Sequence, residues 1–247
     1  MSAWYDDDQF WTAFYPAMFH ASRWESAGEE VQTALGLVKV VEAVDILDIC
    51  CGPGRHAIAL AKLGHRVVGV DRTAPYLKIA RQKAKAAGVS VKFEQSDVRQ
   101  FQRKNAFDLA MSLYTSFGYF DDPEDDRKLL ENVYASLKPG GRLLMDMMGK
   151  EIVARAFQVR SWSEPEPGVL FLEERTVERG WECMGNRWIL IRGEERIEKK
   201  FSIRMYSGVE LKALMLAVGF SEVNLYGNLD DSPYDHAARR LVAVGQK

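Results

Sequence analysis

The stretch ILDICCGPGRHAIALAKLGHRVVGVD, residues 46–71, decides the fold. It is bounded by two short apolar runs, Asp45–Cys50 and Arg66–Asp71, each typical of a strand that is buried on both faces. Between them, Ala57–Leu63 has the pattern of a helix. A strand, a helix and a second strand in this order predict a right-handed βαβ unit of a parallel sheet.

A glycine turn follows the first strand directly, in Asp48-Ile49-Cys50-Cys51-Gly52-Pro53-Gly54-Arg55-His56. Gly52 and Gly54 allow a sharp turn and a close approach of the backbone to a ligand. The helix that begins near Arg55 directs its free N–H groups to the same place, which suits an anionic group. Asp48, at the strand end, can pair with an ammonium group. The sequence therefore predicts a ligand site at this turn.

The alternation of strands and helices continues to about residue 150. Further strands are predicted at Val89–Phe93, Phe107–Leu113 and Arg142–Met147, and helices at Pro75–Ala87 and Pro123–Leu137. Thr73 is the expected N-cap of the first of these helices. This rhythm predicts a doubly wound α/β sheet.

The pattern changes between Val169 and Tyr206, where apolar residues recur with a period of two. This indicates an antiparallel meander of about three strands, with breaks at Met184–Asn186 and Gly193-Glu194. A helix and two strands are predicted after it, at Gly208–Ala217, Glu222–Tyr226 and Leu241–Gly245. We therefore predict one domain, with a helical cap at 1–43, a core at 44–150 and 207–247, and an inserted meander at 151–206. The cap would contain helices at Asp8–Phe19 and Glu25–Gly36.

Two more acidic residues follow strands on the same edge of the predicted sheet. Asp71 ends the second strand, where a carboxylate can accept both hydroxyls of a ribose. Asp97 follows the third strand and can accept from the exocyclic amine of adenine, while the backbone N–H of Val98 can meet a ring nitrogen. Taken alone, Gly52-Pro53-Gly54-Arg55-His56-Ala57 also fits a dinucleotide site of an NAD-dependent oxidoreductase. Asp48, Asp97 and the order of the last elements favour a different cofactor.

The chain resembles the class I S-adenosylmethionine-dependent methyltransferases. The matching stretches are residues 46–71, the acidic Asp97, FDLAMSLYTSFGYF at 107–120 and SLKPGGRLLMDM at 136–147. The resemblance implies a seven-stranded, mostly parallel sheet with an antiparallel final strand, a Rossmann-like fold, and S-adenosyl-L-methionine as cofactor. The family's common D/E-x-G-x-G-x-G has Cys50 in place of its first glycine here. The meander and the Tyr206-Ser207 entry to a helix are similar to the subgroup that acts on small molecules.

The resemblance also implies roles for residues of the glycine turn and the strand ends. Asp48 and Gly52 to Gly54 would hold the methionine part of the cofactor, Asp71 its ribose and Asp97 its adenine. The full set of expected cofactor-binding residues is Tyr5, Asp48, Cys50, Gly52, Gly54, Arg55, His56, Asp71, Arg72, Ser96, Asp97, Val98, Ser112 and Leu113. His56 fits a positioned polar residue better than a base.

The candidates for the methyl acceptor's pocket are Tyr114, Phe117, Tyr119, Arg204 and Tyr206. The first three follow the fourth strand, and the last two would share one face of the last meander strand. The alternatives are ordinary strand-end packing for Tyr114, burial of a helix edge for Phe117 and Tyr119, and a solvated sheet face for Arg204 and Tyr206. The first nineteen residues also carry many aromatics, which predict either a lid over the cofactor, with Trp4 or Tyr5 near the sulfonium, or a permanent part of the core.

Composition narrows the range of partners. The formal charge of −2 over 247 residues gives no reason to expect nucleic acid, and no apolar run is long enough for a membrane span. The spacing of the cysteines, Cys50, Cys51 and Cys183, fits neither a disulfide framework nor a zinc site, so we expect no metal site. The N-terminus is acidic and aromatic, unlike a signal peptide, so we expect a cytoplasmic protein. The acidic runs at Asp6–Asp8 and Asp121–Asp126 are interpreted as helix-start charges rather than metal ligands. The sequence does not predict an oligomeric state.

A sulfonium methyl is already activated, so its transfer needs alignment more than acid–base groups. A neutral amine acceptor needs no strong base, and no convincing base stands out in the sequence. We therefore expect methyl transfer to a small molecule, with nitrogen favoured as acceptor. The alternatives are an NAD-dependent oxidoreductase and a non-catalytic cofactor-binding protein of the same fold.

Overall fold

A computed structural model describes residues 3–247, so the first two residues of the predicted cap lie outside the described part. Its strands, in chain order, are β1 Asp45–Ile49, β2 Arg66–Asp71, β3 Lys92–Gln95, β4 Phe107–Ser112, β5 Leu137–Met147, β6 Arg160–Glu166, β7 Val169–Glu178, β8 Cys183–Arg192, β9 Glu195–Arg204, β10 Glu222–Tyr226 and β11 Leu241–Gln246.

The main sheet has seven strands in the order β10-β11-β5-β4-β1-β2-β3. All neighbours pair in parallel except β11, which runs antiparallel to both β5 and β10. The predicted doubly wound, mostly parallel sheet is therefore confirmed. Its central strands are buried on both faces, as their continuous apolar sequences predict. The carboxyl ends of β1 to β4 share one edge, where the order of strands reverses around β1 and β4.

The helices in chain order are α1 Asp8–Ala13, α2 Tyr15–Met18, α3 Ala21–Glu25, α4 Ala27–Leu37, α5 Arg55–Lys62, α6 Ala74–Ala86, α7 Pro123–Ser136, α8 Lys150–Arg155 and α9 Gly208–Val218. The prediction of one helix over Asp8–Phe19 was wrong, because the segment breaks at Phe14 into α1 and α2. Pro16 explains the break, since proline lacks the N–H that would continue the first helix. Thr73 lies at the N-cap position of α6, but its side chain makes no capping bond.

A second sheet is antiparallel, with four strands in the order β6-β7-β8-β9. The prediction of a meander of about three strands did not include β6. This strand lies at the edge of the sheet and is largely exposed, and its sequence RSWSEPE shows no apolar alternation. The predicted break at Met184–Asn186 was also wrong, because these residues lie inside β8. Gly185 is there for space: a Cβ would meet the Thr176 and Glu178 side chains at 2.5 and 2.1 Å. The chain turns instead at Arg179–Trp181, where all three residues have positive φ.

The N-terminal segment, residues 3–19, packs against the antiparallel sheet. Phe10 and Phe14 are 2% and 0% exposed and join a cluster with residues of β7 and β8, namely Val169, Phe171 and Leu190. Trp4 stacks on Phe201 of β9 with ring centroids 4.5 Å apart. This packing places the segment and the second sheet together above the carboxyl edge of the main sheet. Within residues 3–247, no helix combines the length and apolar character needed to cross a bilayer.

Candidate active site

A cavity of about 570 Å³ lies at the carboxyl edge of the main sheet, roofed by the N-terminal segment and the antiparallel sheet. The sequence-predicted residues that line it are Tyr5, Asp48, Cys50, Gly52, Arg55, His56, Asp71, Arg72, Ser96, Asp97, Val98, Leu113, Tyr114 and Tyr119. They come from the ends of β1, β2, β3 and β4 and from the N-terminal segment. One cavity therefore joins most of the residues expected to bind cofactor with two of those expected near the acceptor.

The glycine turn has the backbone geometry that its sequence suggests. Gly54, the N-cap of α5, has a φ of 82°, and a Cβ there would lie 2.9 Å from the Ala80 Cβ. A side chain at this position would therefore push α6 away from the turn. Cys50, which replaces the family's first glycine, adopts a φ of 53°. Cys50 thus has the left-handed backbone conformation that a glycine would adopt easily, and its Cβ makes this conformation less favourable.

Asp71 fixes the glycine turn from the end of β2. Its Oδ2 accepts the N–H of Gly52 at 2.8 Å, and its Oδ1 accepts the N–H of Thr73 at 2.8 Å. Burial raises the pKa of Asp71, and these two N–H groups partly offset that effect. Each carboxylate oxygen retains a second lone pair, so the side chain can still accept hydroxyl groups from the cavity.

Asp48 is the most isolated acid of the site. It is 2% exposed, and its Oδ2 has no hydrogen-bond partner within residues 3–247. Burial raises its pKa to about 7, although the charge of Arg55 and the N–H of Ala57 act in the opposite direction. A buried carboxylate oxygen without a partner is costly, and a cation in the cavity would remove that cost. The site therefore fits the ammonium group of an amino acid, as the methionine part of the cofactor requires.

Asp97 is already held by a neighbour. Its carboxylate accepts from Arg99, with 3.0 Å from Nε to Oδ1 and 2.5 Å from Nη2 to Oδ2, and Arg99 also pairs with Asp125 at 2.8 Å. Burial alone would raise the pKa of Asp97, but the bonds from Arg99 outweigh it and the pKa is lowered. The guanidinium lies 4.7 Å from the Phe120 ring and 5.7 Å from the Tyr5 ring. A flat, partly aromatic pocket thus surrounds the acid expected to bind adenine.

Arg55 and His56 line the cavity, and both contact Glu30 of α4, Arg55 through an ion pair and His56 through a hydrogen bond. The Oε2 of Glu30 lies 2.5 Å from Arg55 Nη1 and 2.7 Å from His56 Nε2. Burial would raise the pKa of Glu30, yet these partners and Ser26 lower it to about 2. Burial lowers the pKa of His56, which opposes its use as a charged group. Glu30 was missed by the sequence analysis, and no local motif marks it, because its partners are about twenty-five positions away.

The N-terminal segment is bound to the core next to Asp71. Arg72 donates to the carbonyl of Tyr5 and lies 3.2 Å from the carboxylate of Asp6. Tyr76 Oη donates to the carbonyl of Trp11 at 2.6 Å. Trp4, Tyr5 and Trp11 therefore form part of the cavity wall.

The remaining predicted residues do not line the cavity. Gly54, the N-cap of α5, and Ser112, the last residue of β4, are not among its lining residues. Phe117 is buried against Tyr206, with centroids 5.0 Å apart. The expectation that Arg204 and Tyr206 share a strand face was wrong, because β9 ends at Arg204. Tyr206 donates to buried Asp126 at 2.8 Å, and Arg204 Nε lies 3.8 Å from the same carboxylate, so both belong to a buried polar cluster; Arg204 also pairs with the more exposed Glu182.

The antiparallel sheet supplies cavity residues that the sequence analysis did not identify: Glu173, Arg175, Met184, Asn186, Trp188, Phe201 and Ile203. The acidic runs cap helices, as interpreted: Asp7 accepts the N–H of Gln9 in α1, and Asp122 accepts the N–H of Glu124 in α7.

Residues 46–141 match the family described as "Methyltransferase domain". A putative methyltransferase of Geobacillus sp. (strain WCH70) is 23% identical over 98% of this chain and 99% of its own length. Other curated relatives match this chain over about half of their own length, 51% and 45% in two cases.

Solved structures share the whole fold. The CcbJ methyltransferase from Streptomyces caelestis has a TM-score of 0.77 at 19% identity, with 88% of each chain covered. The sugar N-methyltransferase KedS8 from Streptoalloteichus sp. ATCC 53650 has a TM-score of 0.71 at 18% identity, with 96% of this chain and 92% of that chain covered. With the glycine turn and the sheet order, these matches show that the chain has the fold of the class I S-adenosylmethionine-dependent methyltransferases and that residues 46–141 resemble a methyltransferase domain.

Proposed function

We propose that this enzyme transfers a methyl group from S-adenosylmethionine to a nitrogen atom of a small molecule. Bound S-adenosylmethionine supplies a methyl group already activated by the sulfonium. What the chain must add is alignment of the acceptor and exclusion of water. The observation that carries the proposal is an aromatic acceptor pocket whose described histidine and glutamate, His56 and Glu173, are each already bonded to another side chain.

We assign the cofactor to the part of the cavity nearest the strand ends. Asp48 would hold the ammonium group beside the turn at Gly52, and Asp71 would accept the ribose hydroxyls. Asp97, oriented by Arg99, would accept from the adenine amine, and the backbone N–H of Val98 would meet a ring nitrogen. These assignments follow the family resemblance, and the unpartnered Oδ2 of Asp48 supports them.

The acceptor would occupy the part of the cavity under the antiparallel sheet. Its walls are aromatic: Trp4, Trp11, Tyr119, Trp188 and Phe201. Trp4 lies 4.9 Å from Tyr119 and 4.5 Å from Phe201, centroid to centroid, so this wall is closely packed. A cavity of about 570 Å³ that also holds the cofactor leaves room for a small acceptor only.

The groups near this pocket that could accept a proton each make at least one hydrogen bond within the protein. Outside the carboxylates assigned to the cofactor, the described histidine and glutamate of the lining are His56 and Glu173. His56 is bonded to Glu30 at 2.7 Å, and Glu173 is paired with Arg175 at 2.7 Å. Tyr119 donates to the carbonyl of Thr115, and burial raises its pKa. A hydroxyl acceptor would have to lose its proton to such a group, whereas a neutral amine already carries the lone pair that attacks. The sugar N-methyltransferase with the same fold is consistent with this choice.

Matched acceptors test the proposal. The purified enzyme is supplied with S-adenosylmethionine and with pairs of compounds that differ only in an amine or a hydroxyl, such as amino sugars and their parent sugars. Formation of S-adenosylhomocysteine is measured for each member. We expect turnover of one or more amines and none of their hydroxyl partners. Turnover of the hydroxyl compounds instead, or of protein or nucleic acid only, would contradict the proposal.

A further inference from the structure

A buried acid lies outside the cavity, in the first turn of α7. Asp126 is 0% exposed and is not one of the residues that line the cavity. Its Oδ1 accepts the N–H of Gly118 at 3.2 Å, and its Oδ2 accepts from the Tyr206 hydroxyl at 2.8 Å and lies 3.8 Å from Arg204 Nε. Burial raises the pKa of Asp126 to about 6, although these three partners lower it. A buried carboxylate is costly unless it is paired and hydrogen-bonded, so these contacts keep Asp126 ionised at neutral pH.

Arg204, the last residue of β9, holds the loop between β4 and α7. Its N–H donates to the carbonyl of Gly118 at 2.7 Å, and its Nη2 donates to the carbonyl of Asp121 at 3.0 Å. Gly118 has a φ of 93°, and a Cβ there would lie 2.2 Å from the carbonyl oxygen of Arg204, so a side chain at this position would separate the two segments. Residues 118–121 are therefore bound at both ends to the end of β9.

The two residues between these contacts, Tyr119 and Phe120, line the cavity. The centroid of the Phe120 ring lies 4.7 Å from Cζ of Arg99, the arginine that orients Asp97, and 5.3 Å from the centroid of the Tyr5 ring. Phe120 is thus part of the pocket expected to bind adenine. Its backbone is fixed from outside the cavity, by side chains that do not line it.

We propose that Asp126, Tyr206 and Arg204 form a clamp that positions Phe120 for the adenine of the cofactor. All three are positioning residues, since none of them is among the residues that line the cavity. Arg204 ends the last strand of the second sheet and Tyr206 follows it, so the inserted sheet helps to shape the cofactor pocket of the main sheet. The inference rests on the proposed place of adenine beside Asp97 and is independent of the acceptor.

A double-mutant cycle on the affinity for S-adenosylhomocysteine tests the clamp. Asp126→Asn removes the charge and nearly keeps the shape, and Phe120→Leu removes the ring that the clamp positions. By calorimetry, we expect Asp126→Asn to weaken binding about threefold to tenfold, the range for the loss of one hydrogen bond. In the Phe120→Leu background, the same substitution should weaken binding less than about twofold, because no ring is left to position.

Tyr206→Phe tests the clamp by a smaller change, since it removes only the hydroxyl that donates to Asp126. We expect it to weaken binding in the wild-type background and to have little effect beside Phe120→Leu. Equal losses in the two backgrounds would show that Asp126 and Tyr206 act through general stability, which would overturn the proposal. Unchanged affinity in both single variants would overturn it as well.

Lys138→Met is the control for lost stability. It removes two ion pairs at the opposite edge of the main sheet, to Asp45 and Asp108 at 2.9 and 2.8 Å, and should leave the affinity unchanged. Thermal unfolding of the ligand-free variants verifies that each is folded. A loss of affinity in Lys138→Met as large as in Asp126→Asn would refute the clamp. Absence of binding by the wild type would contradict the cofactor assignment together with this inference, whereas wild-type binding that the variants leave unchanged would contradict this inference alone.

Discussion

The Oδ2 of Asp71 accepts the backbone N–H of Gly52 at 2.8 Å, so the end of β2 holds the glycine turn that follows β1. The acid that is expected to bind the ribose hydroxyls therefore also stabilises the glycine turn beside it. The two roles can be separated by changing the ligand as well as the protein.

Asp71→Ala is expected to weaken S-adenosylhomocysteine by roughly tenfold to a hundredfold, because the ribose hydroxyls lose a charged acceptor. Calorimetry with the 2′,3′-dideoxy analogue completes the cycle. The wild-type enzyme should discriminate strongly between the two ligands, and Asp71→Ala should discriminate little. If the variant kept the full discrimination, Asp71 would act only on the loop.

Asp97→Ala should weaken S-adenosylhomocysteine but hardly affect S-inosylhomocysteine, which has a carbonyl where adenine has its amine. Removing Asp97 also leaves the guanidinium of Arg99 without this partner, which can change the affinity by itself. Arg99→Met is the matched control, since it removes the clamp and keeps the acid. Equal losses for both ligands in Asp97→Ala would assign Asp97 a structural role.

The affinity for S-adenosylhomocysteine should depend on pH through Asp48. Its pKa is about 7 in the free protein, with Arg55 and Asp71 as the charged groups that act on it. An ammonium ligand lowers that pKa, so binding favours the ionised acid and strengthens as pH rises. We expect about tenfold weaker binding at pH 6 than at pH 8, and a flat, weaker profile for Asp48→Asn. A wild-type profile that is flat over this range would contradict the role of Asp48.

The same shift makes a prediction for stability. A carboxyl whose pKa is higher in the folded state stabilises the protein only at low pH, and this contribution is lost as pH rises through the folded value of about 7. Asp48→Asn should therefore unfold at a temperature several degrees higher than wild type at pH 8, and the gain should shrink toward pH 5. Calorimetric scans of the ligand-free proteins measure it. No gain at pH 8 would mean that Asp48 finds a cation even without ligand.

Hydrogen exchange should divide the N-terminal segment into two parts. Residues 4–8 lie beside Arg72 and the expected ribose, so their amides should gain protection when S-adenosylhomocysteine binds. Residues 10–14 should be equally protected with and without ligand, because Phe10 and Phe14 are buried between α1 and the antiparallel sheet. Protection gained by the whole segment would make it a lid throughout, and no gain anywhere would make it core.

Local patterns were sufficient to predict the main sheet and the glycine turn at its carboxyl edge. Asp48, Gly52 and Asp71 stand next to strand ends, and a parallel sheet brings such ends together whatever the details of packing. The pocket proposed for the acceptor was not predictable in the same way. Trp188 and Phe201 face the cavity only because the second sheet folds back over the first, and Arg204 shows that period-two spacing does not reveal which face is covered. Glu30 contacts Arg55 and His56 across about twenty-five positions and carries no motif.

The packing of the first helix on the last strands of the second sheet constrains how the chain assembles. Lys199 pairs with Asp7 across 192 positions of sequence. During synthesis, Phe10 and Phe14 emerge first but find their partners only after most of the polypeptide has left the ribosome. Contacts of such separation form slowly, since loop closure precedes any gain from burial. The cavity is therefore completed late, and the aromatic N-terminal segment stays without its partners in the interval, when it can bind chaperones or aggregate.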